Sequence, residues 1–164
     1  MQPKRAFIPG IVIVLVALTA VWAYAQGQIQ LTSVAEVEVE RFNQEGKKEV
    51  QRVKASKVLP GNEVIFTTYY ENTSEEVAEN AVITNPVPEH MIYTENSARG
   101  EGTRITFSVD GGKTYDAPAK LFIFDASGRK FPARPQDYTH IRWTFGDPLQ
   151  PGAKGEVSFR AILQ

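Results

Sequence analysis

Leu59-Pro60-Gly61-Asn62-Glu63-Val64-Ile65-Phe66-Thr67-Thr68-Tyr69-Tyr70-Glu71-Asn72-Thr73-Ser74 is the stretch from which the fold can be read. Pro60 presets one turn angle and Gly61 tolerates the left-handed one, so the turn that opens the stretch is specified locally. The run from Val64 to Tyr70 is dense in β-branched and aromatic residues. Such a run fits a pleated, largely buried strand, and the polar Glu71-Asn72-Thr73-Ser74 cluster stops it. The rest of the chain repeats this unit of turn and strand.

Downstream, Ala81-Val82-Ile83-Thr84 is followed by Asn85-Pro86-Val87-Pro88. Two prolines so close end any central strand and force an extended crossing. Met91-Ile92-Tyr93 resumes β character. Thr103 to Val109 alternates, with Ile105, Phe107 and Val109 on one side, and Asp110-Gly111-Gly112 turns the chain. Leu121-Phe122-Ile123-Phe124 is a short run apolar on both faces. Thr139 to Phe145 places Ile141, Trp143 and Phe145 inward and His140, Arg142 and Thr144 outward. After a Pro- and Gly-rich connection, Val157, Phe159, Ala161 and Leu163 line one face of a final strand. Trp143, Phe159 and Phe107 are therefore the expected centre of the core.

Upstream, residues 28–40 alternate as well. Ile29, Leu31, Ser33, Ala35, Val37 and Val39 share one face, expected to be buried, and Gln30, Thr32, Glu36, Glu38 and Glu40 share the other. Gln44-Glu45-Gly46-Lys47 reads as a hairpin turn, and Lys48 to Ser56 as a charged return strand near an edge, where lysines discourage aggregation. No segment shows helical periodicity over about ten residues. The pattern predicts an antiparallel β-sandwich of about seven to nine strands, forming a single domain over residues 26–164.

The first 25 residues differ in kind. Lys4 and Arg5 precede a nearly unbroken apolar run from Phe7 to Trp22, and Ala23-Tyr24-Ala25 supplies a small-x-small pattern. That is the anatomy of a secretory signal peptide cleaved after Ala25. The competing reading is an uncleaved anchor crossing a membrane through residues 7–25. Loss of Lys4 and Arg5 leaves 16 basic against 19 acidic residues, a mildly acidic mature chain. So even a balance argues against nucleic acid as a partner. Cysteine is absent, which excludes disulfides, thiolate nucleophiles and Cys-ligated metals.

From Lys54 onward the chain resembles a conserved repeat domain of bacterial and archaeal surface proteins, domain of unknown function eleven. The residues that carry the resemblance are Leu59-Pro60-Gly61-Asn62-Glu63-Val64, Tyr70-Glu71-Asn72-Thr73, and Ala81 to Glu89. Tyr93, Asn96-Ser97, Trp143, Pro151-Gly152 and Val157-Ser158-Phe159 follow in order. The resemblance implies an immunoglobulin-like sandwich in an exported or cell-surface protein, and it brings no catalytic residues. The chain departs from the family at Asn85, where Asp is usual, and holds one copy of a unit that members often repeat.

Several motifs invite chemistry, each with a plainer alternative. Ser108-Val109-Asp110-Gly111-Gly112-Lys113-Thr114-Tyr115 matches the Asp-box of propeller enzymes, yet one box reads better as a self-capped hairpin. His90 and His140 show no metal-binding spacing, and no serine sits in a nucleophile elbow. Asp110, Asp116, Asp125, Asp137 and Asp147 lack the spacing of a calcium loop and read as turn caps. Trp143 with Tyr69, Tyr70, Tyr93, Tyr115 and Tyr138 could offer a sugar platform if some shared an exposed face. Asn72-Thr73-Ser74 fits the glycosylation pattern, read as a chance match.

These readings predict no catalytic residue, cofactor or metal. The expected function is an exported, non-enzymatic structural, adhesive or interaction module of the bacterial envelope or surface. It would act through envelope or surface proteins, or through self-association of strand edges, with Ile29, Leu31, Val37 and Val39 as the assembly strand. A carbohydrate- or protein-binding envelope module is the alternative, and a hydrolase on the Asp-box hairpin comes third.

Overall fold

The computed structural model describes residues 29–164; the signal-peptide and anchor readings of residues 1–25 fall outside them. Eleven strands run through the described chain: β1 Ile29–Phe42, β2 Lys48–Lys54, β3 Glu63–Asn72, β4 Val82–Pro86, β5 Met91–Tyr93, β6 Arg99–Gly100, β7 Thr103–Ser108, β8 Phe122–Phe124, β9 Lys130–Pro132, β10 His140–Phe145 and β11 Lys154–Leu163. Two short 3-10 turns, Pro118–Lys120 and Pro135–Asp137, are the helical elements among the described residues. The chain is all-β, and every strand pairing is antiparallel.

The decisive stretch forms β3, which lies inside a six-stranded sheet of order β2-β1-β3-β11-β5, with β6 also on β11. The Pro60-Gly61 turn is tied to the last strand, because the Gly61 N–H donates to the Leu163 carbonyl at 2.7 Å. A three-stranded sheet, β4-β10-β7, packs across it, and β8 and β9 form a separate ribbon. Between the sheets Trp143 of β10 meets Phe159 of β11 with ring centroids 6.4 Å apart. Tyr70 of β3 meets Phe145 edge-on at 4.9 Å, and Tyr93 of β5 meets Phe107 of β7 at 5.1 Å. Trp143, Ile141, Val157, Phe159 and Ala161 are at most 1% exposed, as their alternation predicted. This packing is sandwich-like.

The first strand departs from expectation. It pairs within its own chain, through Ile29–Glu36 with β3 and through Glu36–Phe42 with β2. Its odd-numbered residues do share the face that carries Phe66, Thr68 and Tyr70, but none is buried, and Leu31 is 51% exposed. The reason is the width of the second layer. The small sheet reaches β3, β11 and β5, so β1 lies at the margin, where Ile29 packs half-buried against the core and Ser33 hydrogen-bonds with the Thr68 hydroxyl at 3.0 Å. Val37 and Val39 are taken up by Val53 and Gln51 of β2. They are hairpin residues and offer no assembly edge on that side. The Lys-bearing β2 does form the sheet's outer edge, as its charges suggested.

Candidate functional site

The Asp-box hairpin follows β7 and is held by its own polar atoms. The Asp110 carboxylate accepts the Ser108 hydroxyl at 2.7 Å, the N–H groups of Lys113 and Thr114 at 3.0 Å each, and the Thr114 hydroxyl at 2.6 Å. Ser108 Oγ in turn accepts the Gly112 N–H at 2.9 Å. Gly111 and Gly112 take φ of +75° and +83°, and a Cβ on Gly112 would stand 2.9 Å from the Tyr115 hydroxyl. The left-handed backbone at both positions favours glycine, since other side chains are strained there. The Thr114 hydroxyl and N–H, then Ser108, hold the Asp110 carboxyl below the usual carboxylate range.

A folded-state pKa below the unfolded one stabilises the protein above about pH 4, and the gain is lost as pH falls through the folded value. Asp110→Asn is therefore expected to lower the thermal midpoint at neutral pH. Thermal unfolding followed from neutral pH downward should show the gap to the unmodified protein closing below about pH 4. A gap that widened in acid would contradict this assignment.

Ser108, Asp110 and His140 converge here, because His140 pairs with Ser108 across β10 and β7. A hydrolytic serine must hand its proton to the imidazole and reach a substrate. Ser108 instead donates to Asp110 and is 0% exposed. His140 Nδ1 contacts the Thr139 hydroxyl at 3.2 Å. Beside them the Arg142 guanidinium lies 3.5 Å over the Tyr115 ring. His90 lies apart, exposed in a left-handed turn with φ of +63°. The other loop acids act locally: Asp125 caps the Ser127–Arg129 turn, Asp137 accepts the Arg134 N–H, and Asp116 accepts the Ala117 N–H. Among the described residues no group of three or more acids and histidines could hold a metal ion.

The aromatic set divides. Tyr93, Tyr138 and Trp143 are core residues, and Phe107 stacks on Tyr138 at 4.6 Å. Tyr69 stays 44% exposed and lines an open groove with Gln30, Thr32, Glu71, Lys154 and Glu156. Asn72, the sequon residue, is 0% exposed. Its amide donates to the carbonyls of Glu76 and Leu149 at 2.8 and 2.9 Å, and its Oδ1 accepts the Ser74 N–H and hydroxyl.

One cluster was invisible in the sequence. Arg160 on β11 forks onto Glu38 of β1 at 2.8 and 3.2 Å and reaches Glu63 of β3 at 2.8 Å. Thr94 donates its hydroxyl to the other Glu63 oxygen at 2.8 Å. The hydrogen bond from Arg160 holds the Glu38 carboxyl below its ordinary range. The residues are 122 and 97 positions apart in the chain, and no local motif links them. The cluster ties three neighbouring strands on the sheet's outer face, next to a cleft lined by Asn96, Ser97, Arg99 and Ser158.

Fold and site together define an all-β, sandwich-like chain whose polar clusters are built into turns and strand junctions. No protein-family model, curated protein or solved structure matches the chain.

Proposed function

We propose that this chain is an exported, non-enzymatic interaction module of the bacterial envelope or cell surface, built as an immunoglobulin-like sandwich. The observation that carries the reading is where the chemistry-bearing side chains are used. Asp110 and Ser108 close a hairpin, and Asn72 closes a strand-to-loop corner. A module of this kind works through its sheet faces and edges. Two antiparallel layers with Trp143 against Phe159 between them support the immunoglobulin-like description. The likeness is architectural: the closing strand β11 joins β3, whereas in the immunoglobulin order it joins the strand before it. The charged-then-apolar leader and its small-x-small site support export. Tyr69, exposed beside its groove, supports a second reading as a carbohydrate- or protein-binding envelope module.

Cell fractionation with mass spectrometry tests the location. The full chain, expressed in a bacterial host, is expected outside the cytosol. It should begin at Gln26 if cleaved, or stay intact in the membrane fraction if anchored. An intact chain in the soluble cytosolic fraction would remove the proposal.

A further inference from the structure

We infer that the open edge of β1 at Ile29–Ser33 pairs with the same edge of a second copy, antiparallel and about a two-fold axis at Leu31. The inference rests on reading the chain as an interaction module, and it names the partner and the contact.

The direction of the backbone groups follows from one hydrogen bond. The Ala55 N–H donates to the Ala35 carbonyl at 2.9 Å, so Ala35 faces the β2 side. In an antiparallel ladder one residue's N–H and C=O share a side, and successive residues alternate. Gln30, Thr32 and Val34 therefore bond to β3, opposite Glu71, Tyr69 and Thr67. Ile29, Leu31 and Ser33 aim outward. On that side, among the described residues, the pairing with β2 begins only at Glu36.

The margins at β2, β4 and β7 are guarded. β2 carries Lys48, Glu49, Arg52 and Lys54. In β4 the Ala81 carbonyl and the Val87 N–H both face β10. Val82, Thr84 and Pro86 thus face out, and Pro86 has no N–H to give. The β7 margin is bridged by Asp116 on Phe107. From Ile29 to Ala35 there is no charge, proline or glycine, the kind of edge that pairs with another strand.

An uncharged edge suits a copy of itself. With Leu31 opposite Leu31, Ile29 of one copy faces Ser33 of the other, and each residue supplies both N–H and C=O. The half-exposed Leu31 side chains then meet across the junction. The window closes at Ala55, which already occupies Ala35. So short a junction is a weak contact, populated where copies are concentrated on a surface.

The cysteine-free chain permits a direct trap. In the full chain, Leu31→Cys places two sulfurs on residues whose Cα atoms lie about 5.5 Å apart, inside the disulfide range of about 4.4–6.8 Å. Ser33→Cys places them roughly 13 Å apart. Under mild oxidation Leu31→Cys is expected to form a covalent dimer about tenfold faster than Ser33→Cys or the exposed control Leu59→Cys. Ile29→Cys mixed with Ser33→Cys should give the mixed dimer. Equal rates for Leu31→Cys and Leu59→Cys would overturn the inference, as would faster coupling through Ser33→Cys alone. Failure here in a protein found outside the cytosol leaves the proposed function standing, whereas cytosolic retention removes that function whatever the cross-linking shows.

Discussion

Trp143→Ala is expected to cost about 3–5 kcal/mol of folding stability, the range for emptying a large aromatic site in a core. Trp143 is 0% exposed and sits where the two sheets face each other. Phe159 lies against it, and Gly100 of β6 approaches so closely that a Cβ there would stand 2.7 Å from Trp143 Cδ1. A site walled this tightly by strands from both layers cannot collapse cheaply. Domains of this size hold about 5–15 kcal/mol in total, so the variant should lose roughly a fifth or more of its margin. Trp143→Phe should cost less, about 1–2 kcal/mol, because the ring remains and the lost indole N–H has no hydrogen-bond partner among the described residues. Chemical denaturation of the pair checks this. Equal, small losses for both variants would place Trp143 outside the core.

Asn72→Asp is expected to be at least as severe at neutral pH, about 3–5 kcal/mol, through a different cause. The side-chain nitrogen donates to two carbonyls, those of Glu76 and Leu149. A carboxylate oxygen in its place would face those two acceptors with a buried negative charge. Asn72→Ala loses the hydrogen bonds without adding charge, and should cost about 2–3 kcal/mol. Acid separates the two variants. Burial raises the folded-state pKa of the introduced carboxyl above its unfolded value, so its penalty grows as pH rises from about 4 and shrinks below it. Urea unfolding at about pH 4 and pH 7 should show Asn72→Asp improving relative to Asn72→Ala in acid. An Asn72→Asp variant as stable as the unmodified protein at neutral pH would mean that the corner is open to water.

These two residues also mark what a sequence can disclose. Trp143 was legible because its phase with Ile141 and Phe145 is local, and a two-residue period names the inward face without any knowledge of what covers it. The same logic found β11, whereas β3 was legible from its run of β-branched and aromatic residues. The edge β2 and the self-capped turn at Asp110 were legible from their charges and turn residues. Asn72 was legible as the polar end of a strand and as part of a chance glycosylation pattern, but not as a structural amide. Its role depends on the Leu149 carbonyl, which lies 77 residues further on. Leu31 failed for a related reason. Alternation correctly set its face, but burial required a second layer wide enough to cover β1, and β4-β10-β7 is too narrow. The Arg160–Glu38–Glu63 cluster is wholly a product of strand order. β9 was missed because Pro132 breaks the expected alternation at its end.

Amide hydrogen exchange on the full chain tests most directly whether the two sheets close over one shared interior. The slowest amides are expected in β3, β10 and β11 together, exchanging through a common opening of both layers, with the β1 amides of Ile29, Leu31 and Ser33 fast in the monomer. Slow exchange in β3 and β11 alongside fast, independent exchange in β10 would contradict the account, because Trp143 and Phe159 would then not belong to the same core.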